Sequence, residues 1–372
     1  IPFETVVGND ADKEPEISLN SSGEYQARAQ AHMKEMLGAD HVFRAGTIHA
    51  LTKPTASAFV RRYYDECGVP HNTAGIKWWA RGCAGVKRIT GQHPGRLIIV
   101  PQGHSIYEFC PVQYPADKAD AGFVITHFDY HSLNGRFMQL DILGHDAPTI
   151  IHMLHDATGI DPHFADLMAD LDENQIDMLP QTTSRLANLL GMSLSTFGKH
   201  DKAQAISNVM MLMRIAYFKI YHPYSFYAAL FSVKCDDFDY ETMCRGREAA
   251  QQEKDRIYGR RKEMSDSDNR KRVLLEVVVE MYARGIKFLK PDLYMSQATR
   301  FIVTPDGLMP PFCSIQGIGI AAAQNIIEER VKGKFLTVED FRERTKANKT
   351  VIELLKANDI LDGLPVSDHA VS

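Results

Sequence analysis

The sequence contains no C-x-x-C pair. Its six cysteines, Cys67, Cys83, Cys110, Cys235, Cys244 and Cys313, are scattered, which speaks against a zinc ribbon or a disulfide framework and fits reduced thiols in a cytosol. It also lacks a membrane-length apolar run, because the densest stretch, Ala205 to Tyr221, is interrupted by Ser207, Asn208, Arg214 and Lys219. A cytoplasmic protein with no membrane partner is therefore expected. There is no basic excess: 42 Lys and Arg stand against 47 Asp and Glu, a net charge of -5, so any nucleic-acid contact has to be local. Repeats and low-complexity tracts are missing too. The chain opens Ile1-Pro2-Phe3, with neither an initiator methionine nor a signal sequence, as expected of a piece of a longer protein.

What is present is ordinary globular material: 372 residues, 44% hydrophobic and 24% charged, enough for about two to three domains. The most informative stretch is Met138 to Gly144. With a period of two, Met138, Leu140 and Ile142 share one face, and Gln139 and Asp141 the other. A second strand-like piece, Pro15 to Asn20, repeats the pattern, with Ile17 and Leu19 expected to bury and Glu16 and Ser18 to face the opposite way. If the two strands are neighbours, Glu16, Ser18 and Asp141 converge; taken alone, they are two half-buried strands with acidic outer faces.

The remaining chain divides by composition. Residues 1–160 mix strands, glycine turns and helices as an α+β domain does, with helices expected over Glu24 to Leu37 and Thr55 to Tyr64 and a buried strand at Leu97 to Val100. Residues 161–201 are polar and read as an irregular connection. Residues 202–300 begin with an enclosed helix broken at Pro223, followed at 245–272 by ten basic and six acidic side chains, read as a solvated helix face. In 301–372, Gly317-Ile318-Gly319 leads into a helix over Ala321 to Arg330, and two short helices are expected at Val338 to Thr345 and Lys349 to Ala357.

Several stretches together resemble the PolC-type α subunit of bacterial DNA polymerase III: Asn20 to Tyr25, Val42 to Ile48, Gly82 to Gly95, Thr126-His127-Phe128-Asp129, Leu140 to Asp146, Arg214 to Lys219, Ser296 to Thr299 and Pro310-Pro311-Phe312. The resemblance implies a palm domain of the nucleotidyltransferase type over 1–160, a shortened remnant of the fingers over 161–201, helical polymerase core over 202–300 and a helix-hairpin-helix region that binds DNA over 301–372. It further implies template-directed addition of deoxynucleotides to a primer, with primer-template DNA, deoxynucleoside triphosphates and other replisome subunits as partners. Chemically, two metal ions roughly 3.5 to 4 Å apart would activate the attacking hydroxyl and neutralise the leaving group, and Mg2+ held by carboxylates is the expected cofactor.

The catalytic and metal positions fall on Asp141, Glu16 and Ser18. The family pattern is Asp-x-Asp where this chain has Glu16-Ile17-Ser18, so impaired catalysis is expected, and a non-catalytic pseudo-polymerase that binds primer-template or a replication partner is the alternative. The family's clamp-binding tail is not visible in the last residues. Lys87, Arg88 and His93 are read as a glycine-rich loop that contacts the nucleotide, with Arg44 beside them; without the resemblance they form a surface turn. Gly317 and Gly319 are assigned to duplex backbone, aided by Lys332 and Lys334. His127, Asp129 and His131 are read as hydrogen-bonded structural groups, and His152 and His155 as exposed.

Overall fold

The computed structural model describes residues 17–115, 123–133, 135–161, 173–192, 202–260 and 264–366. In the first of two units, 1–145, six strands form one mixed sheet: β1 (Ile17–Ser22), β2 (Val42–Ala50), β3 (Lys87–Ile99), β4 (Val112–Gln113), β5 (Ile125–Asp129) and β6 (Met138–His145), in the order β1-β6-β3-β2-β5-β4. β1 lies parallel to β6, and β3 runs antiparallel to both β6 and β2.

The alternation along β6 decides which face is covered. Leu140 and Ile142, with Leu97 and Val42, pack against Ile17, Ala29 and Met33, so α1 (Gln26–Leu37) closes that side and ends at Gly38, whose φ of +96° suits a residue without a Cβ. The opposite face is filled at one end by Ala45, Ile98, Val100, Ile106, Leu133 and Phe137. Leu19, expected to bury, is 48% exposed, because β1 is an edge strand of the sheet. Between β2 and β3 the chain forms a helical pair, α2 (Lys53–Glu66) and α3 (Thr73–Cys83), whose first turns are capped by Thr52 and Asn72.

The expected glycine-rich loop at Lys87, Arg88 and His93 is instead part of β3. Pairing to β2 passes from Arg44 opposite Leu97 to Gly46 opposite Gln92, so β3 spends extra residues at His93-Pro94-Gly95-Arg96 in a bulge. The Pro94 carbonyl accepts from the Gln26 and Gln30 side chains, each at 3.2 Å. A Cβ on Gly95 would lie 2.6 Å from the Ile142 carbonyl oxygen, so the bulge requires glycine there.

The second unit, 146–372, is mainly helical: α4 (Asp146–Thr158), α5 (Glu173–Leu190), α6 (Lys202–Tyr221), α7 (Pro223–Val233), α8 (Tyr240–Met243), α9 (Arg247–Gly259), α10 (Asp266–Ala283), a hairpin of β7 (Ile302–Thr304) and β8 (Gly307–Met309), then α11 (Ile320–Val331), α12 (Val338–Thr345) and α13 (Lys349–Ala357). The first unit therefore stops at His145 rather than at 160: α4 buries Ala147, Ile150 and Leu154 in the helical core. The polar connection over 161–201 contains a helix, α5, held by Leu186 and Ala187 in that same core; the one-face spacing of Thr183, Leu186, Ala187 and Leu190 was diluted by the Asn, Gln and Thr around it. A second cluster around Phe312, Phe341 and Leu355 unites α11, α12 and α13.

Among the described residues, no helix is long and apolar enough to cross a membrane. The core of the second unit nevertheless contains charge. Lys219 Nζ lies 2.9 Å from Glu280 Oε2, the Tyr227 hydroxyl donates to Glu280 Oε1 at 3.0 Å, and Arg284 reaches the same carboxylate at 3.0 Å. Burial depresses the proton affinity of Lys219, while Glu280 raises it. Removing the carboxylate strands a buried ammonium, so Glu280→Ala should cost about 3 kcal/mol in urea unfolding. Lys219→Met should lose less when made in the Glu280→Ala background than alone.

Candidate functional site

The sheet brings Ser18, Asp141 and Arg96 into one row. Ser18 is the register partner of Asp141 across the parallel β1–β6 pair, and Arg96 is its partner across the antiparallel β6–β3 pair, so all three point to the face opposite α1. The expected meeting of Ser18 with Asp141 therefore occurs; Glu16 lies outside the described residues.

Asp141 is only 6% exposed, and a buried carboxylate needs a partner. Arg96 supplies it. Its Nε donates to Oδ1 at 3.0 Å and to Oδ2 at 3.1 Å, and its Nη2 also reaches Oδ2. Nη1 donates to Gln139 Oε1 at 3.2 Å, and the guanidinium lies over the Tyr130 ring, 4.5 Å from its centroid. The bulge directs these groups, since it sets the direction in which β3 projects Arg96.

His93, placed by the same bulge, reaches this cluster. Its Nδ1 accepts from the amides of Arg96 at 2.8 Å and Gly95 at 3.2 Å, and burial, the leading cause, holds its pKa below the usual value. Because Nδ1 acts as an acceptor and carries no proton there, its 3.9 Å approach to Asp141 is not an ion pair. The charge of Asp141 is answered by Arg96.

The other sequence-assigned nucleotide residues are elsewhere. Lys87 and Arg88 lie beyond the bulge on the outer arm of β3, where Arg88 sits over Phe59 of α2 at 5.2 Å. Arg44 is over Phe123 at 4.2 Å and reaches Gln92 at 3.4 Å. His127, Asp129 and His131 do not form a metal face: Asp129 accepts from the amides of Ile48 at 2.7 Å and His131 at 3.0 Å, and His127 bonds Gln113. Among the described residues no group of three or more His, Cys, Asp or Glu is arranged to hold a metal ion. Among the described residues, Asp141, shared with a guanidinium and flanked by a neutral hydroxyl, does not by itself make a donor set for a pair of divalent ions.

In the second unit, Gly317 takes φ of +99° with Leu354 packed 2.8 Å from where a Cβ would stand, and Gly319 caps α11. The first amides of α11 are thus presented to solvent. Lys332 and Lys334 do not help them. They follow the other end of this 12-residue helix, about 18 Å away at 1.5 Å per residue, and Lys332 pairs with Glu329.

Comparison with known proteins bears on this site. Residues 69–144 match the family model described as bacterial DNA polymerase III alpha NTPase domain, and 285–370 match a helix-hairpin-helix motif. DNA polymerase III PolC-type from Caldanaerobacter subterraneus is 36% identical over 483 aligned positions, covering 99% of this chain and 34% of the relative. The chain belongs to the PolC-type DNA polymerase III family. The enzymes of that name from Clostridium perfringens and Bacillus subtilis are each 34% identical, covering 99% and 98% of this chain and 33% of their own length. The chain thus spans about a third of its PolC-type relatives. Since 483 positions align with a chain of 372 residues, the relatives carry a long stretch inside the matched region that this chain does not.

Sequence reasoning missed two features of this PolC-type chain. Arg96 had a legible signal: it shares an alternating face of β3 with Ile98, the face on which the neighbouring strand presents Asp141. The second helix of the α2–α3 pair, Thr73–Cys83, also went unread, whereas the helix expected over Thr55 to Tyr64 is α2. Burial of Ile76 and Ala80 turns Trp78 and Trp79 outward, 65% and 53% exposed, and Lys77 and Arg81 of the same helix and Arg61 and Arg62 of α2 are exposed as well.

Arg96→Met should destabilise the protein by about 3 kcal/mol, because it leaves Asp141 buried and unpaired, and adding Asp141→Asn should recover part of that loss in a double-mutant cycle. At Asp129, burial pulls the carboxyl up, but the Ile48 and His131 donors outweigh it and hold it below the usual range. Its contribution is therefore present above about pH 4 and lost as pH falls through the lower, folded pKa. Asp129→Asn should flatten that acid limb of the stability profile measured by circular dichroism.

Proposed function

We propose that this chain is a polymerase-derived module that holds primer-template DNA and whose nucleotidyl-transfer centre is closed. One observation carries the reading: both oxygens of Asp141 are engaged by Arg96. Two-metal transfer needs carboxylates free to bridge cations, and a guanidinium already seated on the carboxylate competes with any ion for the same lone pairs. Ser18 adds no charge. The Mg2+ chemistry implied by the family has no matching donor set among the described residues, and no step is derived through it. Nucleotide contact by Lys87, Arg88, His93 and Arg44 receives little support, since the His93 Nδ1 is occupied by backbone amides and Arg44 and Arg88 rest on aromatic rings.

Support for DNA binding is of a different kind. The Gly317 turn and the open amides of α11 suit a phosphate, as expected for the helix-hairpin-helix motif that residues 285–370 match. Lys332 and Lys334 supply a separate backbone contact at the far end of the helix. The exposed tryptophans of α3, with Lys77 and Arg81 on the same helix, suit stacking against nucleic acid. In a chain of net charge -5, these local surfaces bear the interaction.

Two assays test the two halves of the proposal. Primer extension with Mg2+ or Mn2+ at high protein concentration should add no nucleotide, and clear extension would overturn the closed centre. Duplex binding followed by anisotropy should weaken steeply with salt, and Lys332→Ala with Lys334→Ala should reduce the log–log slope by about 1 to 2. Binding that is absent, or indifferent to salt, would overturn the DNA-holding role.

A further inference from the structure

Two cysteines far apart in sequence meet in the second unit. Cys235 opens the turn Cys235–Asp237 that follows α7, and Cys313 lies in the turn Phe312–Ser314. Their sulfurs are 3.3 Å apart, across 78 residues of chain. Both turns are fixed by backbone hydrogen bonds: the Phe238 amide donates to the Cys235 carbonyl, and the Cys313 amide to the Ala298 carbonyl. Both thiols are partly exposed, so a small oxidant reaches them. Among the other cysteines, Cys67 and Cys83 are exposed in the first unit and Cys110 is buried there. Cys244, in the second unit, has no sulfur partner.

We propose that Cys235 and Cys313 form an oxidative modification site, a thiol pair that a peroxide converts to an intramolecular disulfide. The site is independent of the polymerase reading. Either sulfur can donate in the contact between them, and Cys313, whose pKa that contact lowers, is taken as the attacking group. The Cys313 thiolate attacks one oxygen of hydrogen peroxide, the O–O bond breaks, and hydroxide leaves and takes up a proton as water, giving a sulfenic acid. Cys235 sulfur then attacks Cys313 sulfur, the S–S bond forms, and the hydroxyl departs with the Cys235 proton as a second water. Two electrons pass from the two thiols to the peroxide. The bridge ties the turn after α7 to the segment that leads into Gly317 and α11.

The test uses the full chain with Cys67→Ser and Cys83→Ser to remove the exposed competitors. After hydrogen peroxide the intact mass should fall by two hydrogens, and alkylation followed by non-reducing peptide mapping should give one cross-linked pair, Cys235 with Cys313. The Tm should rise by about 5 to 10 °C and return on treatment with dithiothreitol, as closing a long loop predicts. In Cys235→Ala, peroxide should leave a sulfenic acid on Cys313 that dimedone traps. Full alkylation of both thiols after peroxide, or a cross-link that joins either one to Cys244 or Cys110 instead, would overturn the proposal. If the serine variants fold poorly, the same peptide mapping on the unmodified chain decides it.

Discussion

A carboxylate that the sheet buries cannot be left alone, and in the first unit Asp141 is compensated by Arg96 from the neighbouring strand. That pairing depends on the bulge at His93-Pro94-Gly95-Arg96, which depends in turn on two glutamines of α1 gripping the Pro94 carbonyl and on glycine at 95, where a side chain would strike the Ile142 carbonyl. A chain that begins as local pattern, a helix with glutamines four residues apart, ends as electrostatics at the centre of the sheet. The functional reading follows from the competition between cations: an internal guanidinium bonded to both oxygens brings its own orientation with it, whereas a divalent ion has to displace it, and the described residues offer that ion one carboxylate and a hydroxyl.

The second unit solves a comparable problem without a metal-ligating residue pattern. Its core is dense in aromatic side chains, with Phe226, Tyr227, Phe231 and Phe288 packed together, yet it admits Lys219 and Glu280. Their charges are tolerated because Tyr227 and Arg284 complete the network around the carboxylate. The surfaces suited to DNA are kept apart from this network. In the proposed reading they consist of backbone amides at a helix start and side chains at its far end, groups that need no buried charge to meet a phosphate.

Much of the local structure was legible. The alternation of Met138 to Ile142 gave β6 and its two faces, and the expected bounds of α12 and α13 agree with the structure because Thr337 and Asn348 cap them from within the sequence. Where expectation and structure part, a specific competing effect is responsible. Leu19 follows the strand pattern, but an edge strand has a neighbour on one side and α1 does not reach over it. The α5 helix has a narrow apolar stripe in a polar background, so it needs α6 and its core to be recognised. Gly82 to Gly95 has the composition of a loop, but it begins in the last turn of α3 and from Lys87 onward belongs to β3, which is paired to β2 on both sides of the bulge.

By itself the sequence determined the family, the strand that presents Asp141, and the neutral hydroxyl at Ser18, since each is written in residue identity and short-range spacing. Only the tertiary structure decided that Arg96 and Asp141 are register partners, that Lys87 and Arg88 stand away from them, that Lys332 and Lys334 lie at the wrong end of α11 for its amides, and that Cys235 meets Cys313. Those facts depend on strand order, bulges and helix length, which place residues dozens of positions apart within a few ångströms and separate others that are neighbours in the chain.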